Sequence, residues 1–154
     1  MKKTIFITGA AKRIGKEIAL CFSEMGWNII IHYNSSKNDA QVLADEINGN
    51  NPDSAITVQG NLDVKEDVEK VINEVRDAFP TIDLLINNAS TFYPTPIEDI
   101  SEEHWDKLVG SNLKGPLFLI KGLKDKLKES KGSIINITDT NLSKGVANYS
   151  IYSA

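Results

Sequence analysis

Apolar positions along the chain alternate between two periods. TIFIT (4–8) is a short run rich in β-branched residues and bounded by Gly9, the pattern of a strand buried on both faces. Ile14, Ile18, Phe22 and Met25 then recur at helical spacing and mark a helix face that Gly26 closes. WNIIIHY (27–33) predicts the second strand. Ala40, Leu43, Ala44 and Ile47 mark the second helix, ended by Gly49-Asn50-Asn51-Pro52. SAITVQ (54–59) predicts a third strand, after which Asp63 with Glu66 has the form of a capping box. The helix it opens has Val68, Val71, Ile72 and Val75 on one face. DLLIN (83–87) predicts the fourth strand, followed by the loop STFYPTPIEDI. Ser101, with Glu102 and Glu103 at its positive end, starts a long helix that Gly115-Pro116 bends and that runs to about Lys128. GSIINIT (132–138) predicts the fifth strand.

This alternation of strand and helix predicts an α/β fold: one domain, residues 1–154, with a doubly wound parallel sheet and helices on both faces. Ligands are then expected at the carboxyl ends of the strands. A dinucleotide fold has six strands and five are counted here. The expectation is that the natural product is longer, and that the last strand forms an apolar edge.

Composition narrows the function classes. With 41% apolar and 25% charged residues, the chain is ordinary globular material rather than a disordered segment. A net charge of -4 offers no basic excess for nucleic acid. No stretch approaches the roughly 20 apolar residues of a membrane span, so a cytoplasmic protein is expected. Cys21 is the single cysteine and cannot form an internal disulfide; among Ile18, Phe22 and Met25 it reads as core. His32 and His104 have no ligand spacing with each other or with Cys21, so no metal is expected. Trp27 and Trp105 read as packing residues, and the Lys-rich run 121–131 reads as a solvated helix face.

TGAAKRIG (8–15) lies between the first strand and the first helix, where a phosphate-binding turn belongs. Gly9 allows the tight turn and Gly15 the close helix–strand approach, although any strand-to-helix turn carries glycine readily. Arg13 stands where a middle glycine is usual. At the end of the second strand, HYNSSKND places no acid before Asp39, while His32, Asn34, Ser35, Ser36 and Lys37 offer donors and Arg13 approaches from the first turn. Donors without a carboxylate favour a 2′-phosphate and hence NADP(H); the same segment also reads as an ordinary polar turn.

In order along the chain, TGAAKRIG, NNAS (87–90), Asn112 in GSN and Tyr152 resemble the motifs of the short-chain dehydrogenase/reductase family. HYNSS, NPDSAITVQGNL, NNASTFYPTP and Asp139 in SIINITD are similar to its pteridine reductase branch. The resemblance implies cofactor contacts at Gly9, Arg13, Ile14, Gly15, His32, Asn34, Ser35 and Ser36. It implies further ones at Asn61, Leu62, Asn88, Ala89, Ser90 and Thr138. Asn61 stands where the branch has Asp, and Ser35 where it often has Arg. Tyr152 is implied as proton donor, with Asp139 relaying the proton and Asn112 completing the catalytic group. Ser90, Phe92, Asp139 and Tyr152 are implied as substrate contacts, Phe92 stacking on a flat heterocycle. Taken alone, Asp139 also fits an N-cap or turn residue, and Phe92 and Tyr93 also fit loop anchors.

Hydride transfer to C=N or C=O requires a proton, which a tyrosine supplies once its pKa, normally about 10, approaches working pH. The family pairs its tyrosine with a lysine four residues later, a position beyond Ala154. Three functions are therefore expected in competition: an NADPH-dependent pterin reductase, a reductase of another carbonyl compound, and a nucleotide-binding chain without catalysis. The resemblance also implies a homotetramer, partly through the long helix.

Overall fold

The computed structural model describes residues 2–140 and 144–154. Strands β1 (Thr4–Ile7), β2 (Asn28–Tyr33), β3 (Ala55–Gln59), β4 (Leu84–Asn87) and β5 (Ser133–Asn136) form one sheet in the order β3-β2-β1-β4-β5. Every neighbouring pair is parallel. Helices α1 (Arg13–Glu24), α2 (Lys37–Asn50), α3 (Lys65–Ala78), α4 (Glu102–Val109) and α5 (Gly115–Ser130) connect them, and α6 (Ser150–Ser153) follows β5. The doubly wound α/β fold expected from the alternation is the fold observed.

The strand pleat explains why the apolar runs are continuous. Ile5, Ile7, Ile29 and Ile31 pack into one cluster with Ala40, Leu43 and Ile47 of α2. Phe6 and Ile30 face the other way, against Val68, Val71 and Val75 of α3 and Leu119, Leu123 and Leu127 of α5. Each fully buried side chain of this kind contributes about 1.5–3 kcal/mol, so these two layers dominate the stability. After β3 the chain returns to the opposite side of β1. That reversal opens a crevice beyond the carboxyl ends of β1 and β4.

Five local expectations are corrected. On α1 the buried residues are Gly15, Ala19 and Ser23, whereas Ile14 and Met25 are 61% and 63% exposed. The helix approaches the sheet too closely for large side chains, which are displaced to its flanks. Cys21 is consequently exposed rather than core. The capping box does not form: Val64 caps α3 without a side-chain bond. Asn61 Oδ1 accepts from the Asp63 N–H at 3.1 Å, and Asp67 Oδ2 accepts from the Asn61 N–H at 2.7 Å.

The long helix does start at Ser101, whose Oγ accepts from the His104 N–H at 3.2 Å. Its break precedes Gly115-Pro116, however. Gly110–Lys114 forms a π turn between α4 and α5, and Pro116, which has no N–H to donate, follows directly in the first turn of α5. Trp27 packs as expected, edge-on to Phe22 at 4.9 Å, but Trp105 is 52% exposed.

Candidate functional site

A cleft of about 390 Å³ opens at the crevice between β1 and β4. It brings together Gly9, Arg13, Ile14 and Gly15 from the first turn with His32 of β2 and Asn34 just after it. Asn61 and Leu62 line it after β3, and Asn88, Ala89 and Ser90 after β4. These eleven residues, scattered in sequence, are all among the expected cofactor contacts.

The cleft is built by backbone approach. Gly9 has φ +62°, and a Cβ there would lie 3.0 Å from Ala89 Cα. A Cβ on Gly15 would lie 2.5 Å from Gly9 O and 2.7 Å from Asn88 Nδ2. Thr8, overlooked in the sequence, ties the two turns: its Oγ1 accepts from the N–H groups of both Asn88 and Ala89 at 2.9 Å. Asn88 Nδ2 donates to Thr8 O at 2.9 Å. Arg13 carries φ 55°, uncommon for a residue with a side chain and the kind of strain that functional turns retain.

These residues fit a phosphate-bearing nucleotide. The N-terminus of α1 has no side-chain cap and no acid in its first turn. Its free N–H groups and positive dipole end suit an anion. Lys12, also missed in the sequence, lines the cleft beside them. Ser35 and Ser36 lie outside this cleft and line an adjoining one with Lys12, Lys37 and Asp39. There Lys12 Nζ pairs with Asp39 Oδ2 at 3.0 Å.

His32 lies in the cleft wall but is not the free donor expected. Its Nδ1 accepts from the Gly9 N–H at 3.1 Å and its Nε2–H donates to Gly60 O at 3.0 Å. Both nitrogens are used, and burial holds the imidazole down to about 4, so it is neutral. Asp63, a further unexpected wall residue, has Oδ1 buried without a hydrogen-bond partner among the described residues. Burial, opposed by the Asn61 side chain and by Lys107, pushes its carboxyl up. Thr91, Ser111 and Ile137 complete the lining.

The remaining expected residues, Phe92, Asn112, Thr138, Asp139 and Tyr152, do not line this cleft. The Tyr152 hydroxyl donates to Asp139 Oδ2 at 3.3 Å. Burial first, then the Asp139 carboxylate and that hydrogen bond, push the phenol above its ordinary value. Phe92 meets the Tyr152 ring edge-on at 4.7 Å and stacks on Tyr149 at 4.3 Å with 17° between planes. Phe92 is still 50% exposed. The Asn112 amide is committed to the Thr91 backbone: Nδ2 donates to Thr91 O and Oδ1 accepts from the Thr91 N–H, both at 2.8 Å. Asn112 thus fixes the loop that carries Phe92. Among the described residues no cluster could hold a metal ion, and no helix is long and apolar enough to cross a membrane.

Comparison with known proteins converges on one family. The short chain dehydrogenase model matches residues 3–154. The chain is 33% identical over 139 residues to a 3-oxoacyl-[acyl-carrier-protein] reductase FabG of Staphylococcus epidermidis, covering 90% of this chain and 57% of that protein. It is 34% identical over 136 residues to an NAD-dependent glycerol dehydrogenase of Listeria innocua, covering 88% and 52%. It is 32% identical over 186 aligned positions to Pteridine reductase 1 of Leishmania tarentolae, covering 95% and 64%. Three differently named activities lie within two percentage points of identity, so overall similarity does not favour the pteridine branch. The glycine turn, the strand order and the matched length agree: this chain belongs to the short-chain dehydrogenase family.

Proposed function

We propose that the whole protein is an NADP(H)-dependent reductase of a pterin or dihydropteridine, with Tyr152 as proton donor. The observation that carries this reading is the Tyr152–Asp139 hydrogen bond at 3.3 Å beside the ring of Phe92. A bound reduced nicotinamide supplies the hydride. Gly9, Gly15 and the N–H groups at the start of α1 hold the phosphates, while Asn88, Ala89 and Ser90 flank the ribose. Tyr152 gives its phenolic proton to the atom bonded to the reduced carbon, and Asp139 relays a proton taken up from water to the phenolate left behind. Burial and Asp139 hold the phenol above its ordinary value, away from working pH, so it is protonated in the resting state and needs a neighbouring cation to become a ready donor. Half of Phe92 is free to stack on a flat ring. For the cofactor, the reading rests on the donors Ser35, Ser36 and Lys37 in the cleft that Lys12 also lines, and on Lys12 pairing with Asp39.

A second reading, reduction of another carbonyl compound, is favoured by the near-equal identities to proteins named for other substrates. The test is turnover by the whole protein of dihydrobiopterin and dihydrofolate against a panel of ketones and 3-oxoacyl thioesters, each with NADPH and NADH. Pterin turnover preferring NADPH is expected. Tyr152→Phe is expected to lose about 10²–10⁴-fold in kcat, and Asp139→Asn to move the phenol titration downward. Turnover of ketones alone sinks the pterin assignment. Dinucleotide binding without any turnover leaves a binding protein.

A further inference from the structure

The first turn of α6, which carries Tyr152, lacks a cap of its own. Tyr149 stands at its N-cap position and makes no side-chain bond to the helix. Its first N–H groups need partners from elsewhere. Thr95, in the loop after β4, supplies them. Its carbonyl accepts from the Ser150 N–H at 3.2 Å and its Oγ1 from the Ile151 N–H at 3.3 Å. Its own N–H donates to Asn148 O at 2.6 Å, and Thr95 is fully buried. Thr95 pairs with Tyr149 as a short parallel bridge. The same loop holds Phe92 against both tyrosine rings.

We infer that Thr95 is a positioning residue: it caps the Tyr152 turn from 56 residues away and so fixes the phenol against Asp139 and Phe92. This rests on Tyr152 being the proton donor. A valine keeps the shape of threonine and removes the hydroxyl; a serine keeps the hydroxyl and removes the methyl group.

The experiment compares Thr95→Val and Thr95→Ser in the whole protein. Thr95→Val is expected to speed amide exchange at Ile151 about five- to tenfold. It is expected to lower kcat about tenfold, since small misplacements of reacting groups are costly, with the KM for the dinucleotide unchanged. Thr95→Ser is expected to restore both. The Tyr152 phenol, followed by ¹³C NMR, is expected to titrate lower in Thr95→Val as its contact with Asp139 loosens. Unchanged exchange and phenol titration in Thr95→Val overturn the inference, as does a loss that Thr95→Ser does not restore. Absence of turnover in every form sinks the reductase reading instead, and exchange with phenol titration then decides the role of Thr95 without it.

Discussion

Single side chains set the shape of the cleft, and His32 is the most committed of them. It clamps Gly9 of the first turn to Gly60 at the end of β3, and it does so only when neutral, because Nδ1 must accept. Its pKa is about 4 in the fold against 6.5 when exposed. The unfolded chain therefore takes up the proton first as pH falls. The stability from neutral His32 is complete above about pH 6.5 and is lost as pH drops from there toward 4. Urea unfolding at pH 7 and pH 5 is expected to differ by about 2 kcal/mol from this residue alone. His32→Gln is expected to remove that part of the pH dependence while carboxylate contributions persist. An unchanged slope in the variant would contradict the clamp.

At the scale of elements, the contact of α1 with the sheet decides whether the cleft exists. Gly15 packs directly on Gly9 O and Asn88, leaving no room for a methyl group. Gly15→Ala replaces a residue with poorer helix propensity, which alone would stabilise α1 by about 1 kcal/mol. The clash wins over that gain, because two of the three nearest atoms, Gly9 O and Ala10 Cα, belong to the backbone and have no rotamer to yield. Net destabilisation of about 1–3 kcal/mol is expected, as for overpacking elsewhere. Dinucleotide affinity should fall with it, measured by calorimetric titration alongside denaturant unfolding. A variant as stable as the parent with unaltered affinity would show that α1 can shift outward. The π turn Gly110–Lys114 acts similarly on the other side: it places Asn112 so that its amide holds Thr91 and the loop bearing Phe92.

For the molecule as a whole, the two sides of the sheet end differently. Edge strand β3 is buried at Ala55 and Val58 and half-buried between and beyond them, whereas every residue of edge strand β5 is exposed. Ile134, Ile135 and Ile137 are 40%, 47% and 43% exposed. An edge with free ladder groups and apolar side chains is a template for association. The 154-residue chain is expected to self-associate as concentration rises, and Ile135→Lys to reduce light scattering at equal concentration. Equal scattering by parent and variant would place the association elsewhere.

The sequence by itself determined the strands, their parallel sheet and the glycine turn. β-branched runs such as TIFIT and NIIIHY can satisfy their burial only between two helical layers, and the residues of the cleft follow one strand end after another. The contact between Tyr152 and Asp139 was expected from family resemblance and their spacing. Tertiary structure decided what depends on distance between remote backbones. It turned His32 from a ligand donor into a clamp, put Gly15, Ala19 and Ser23 rather than Ile14 and Met25 inside, and assigned Asn112 to the loop. Thr8 and Thr95 were invisible beforehand for the same reason. Their hydroxyls bond to residues 80 and 56 positions away, and no local period or motif records such a pairing.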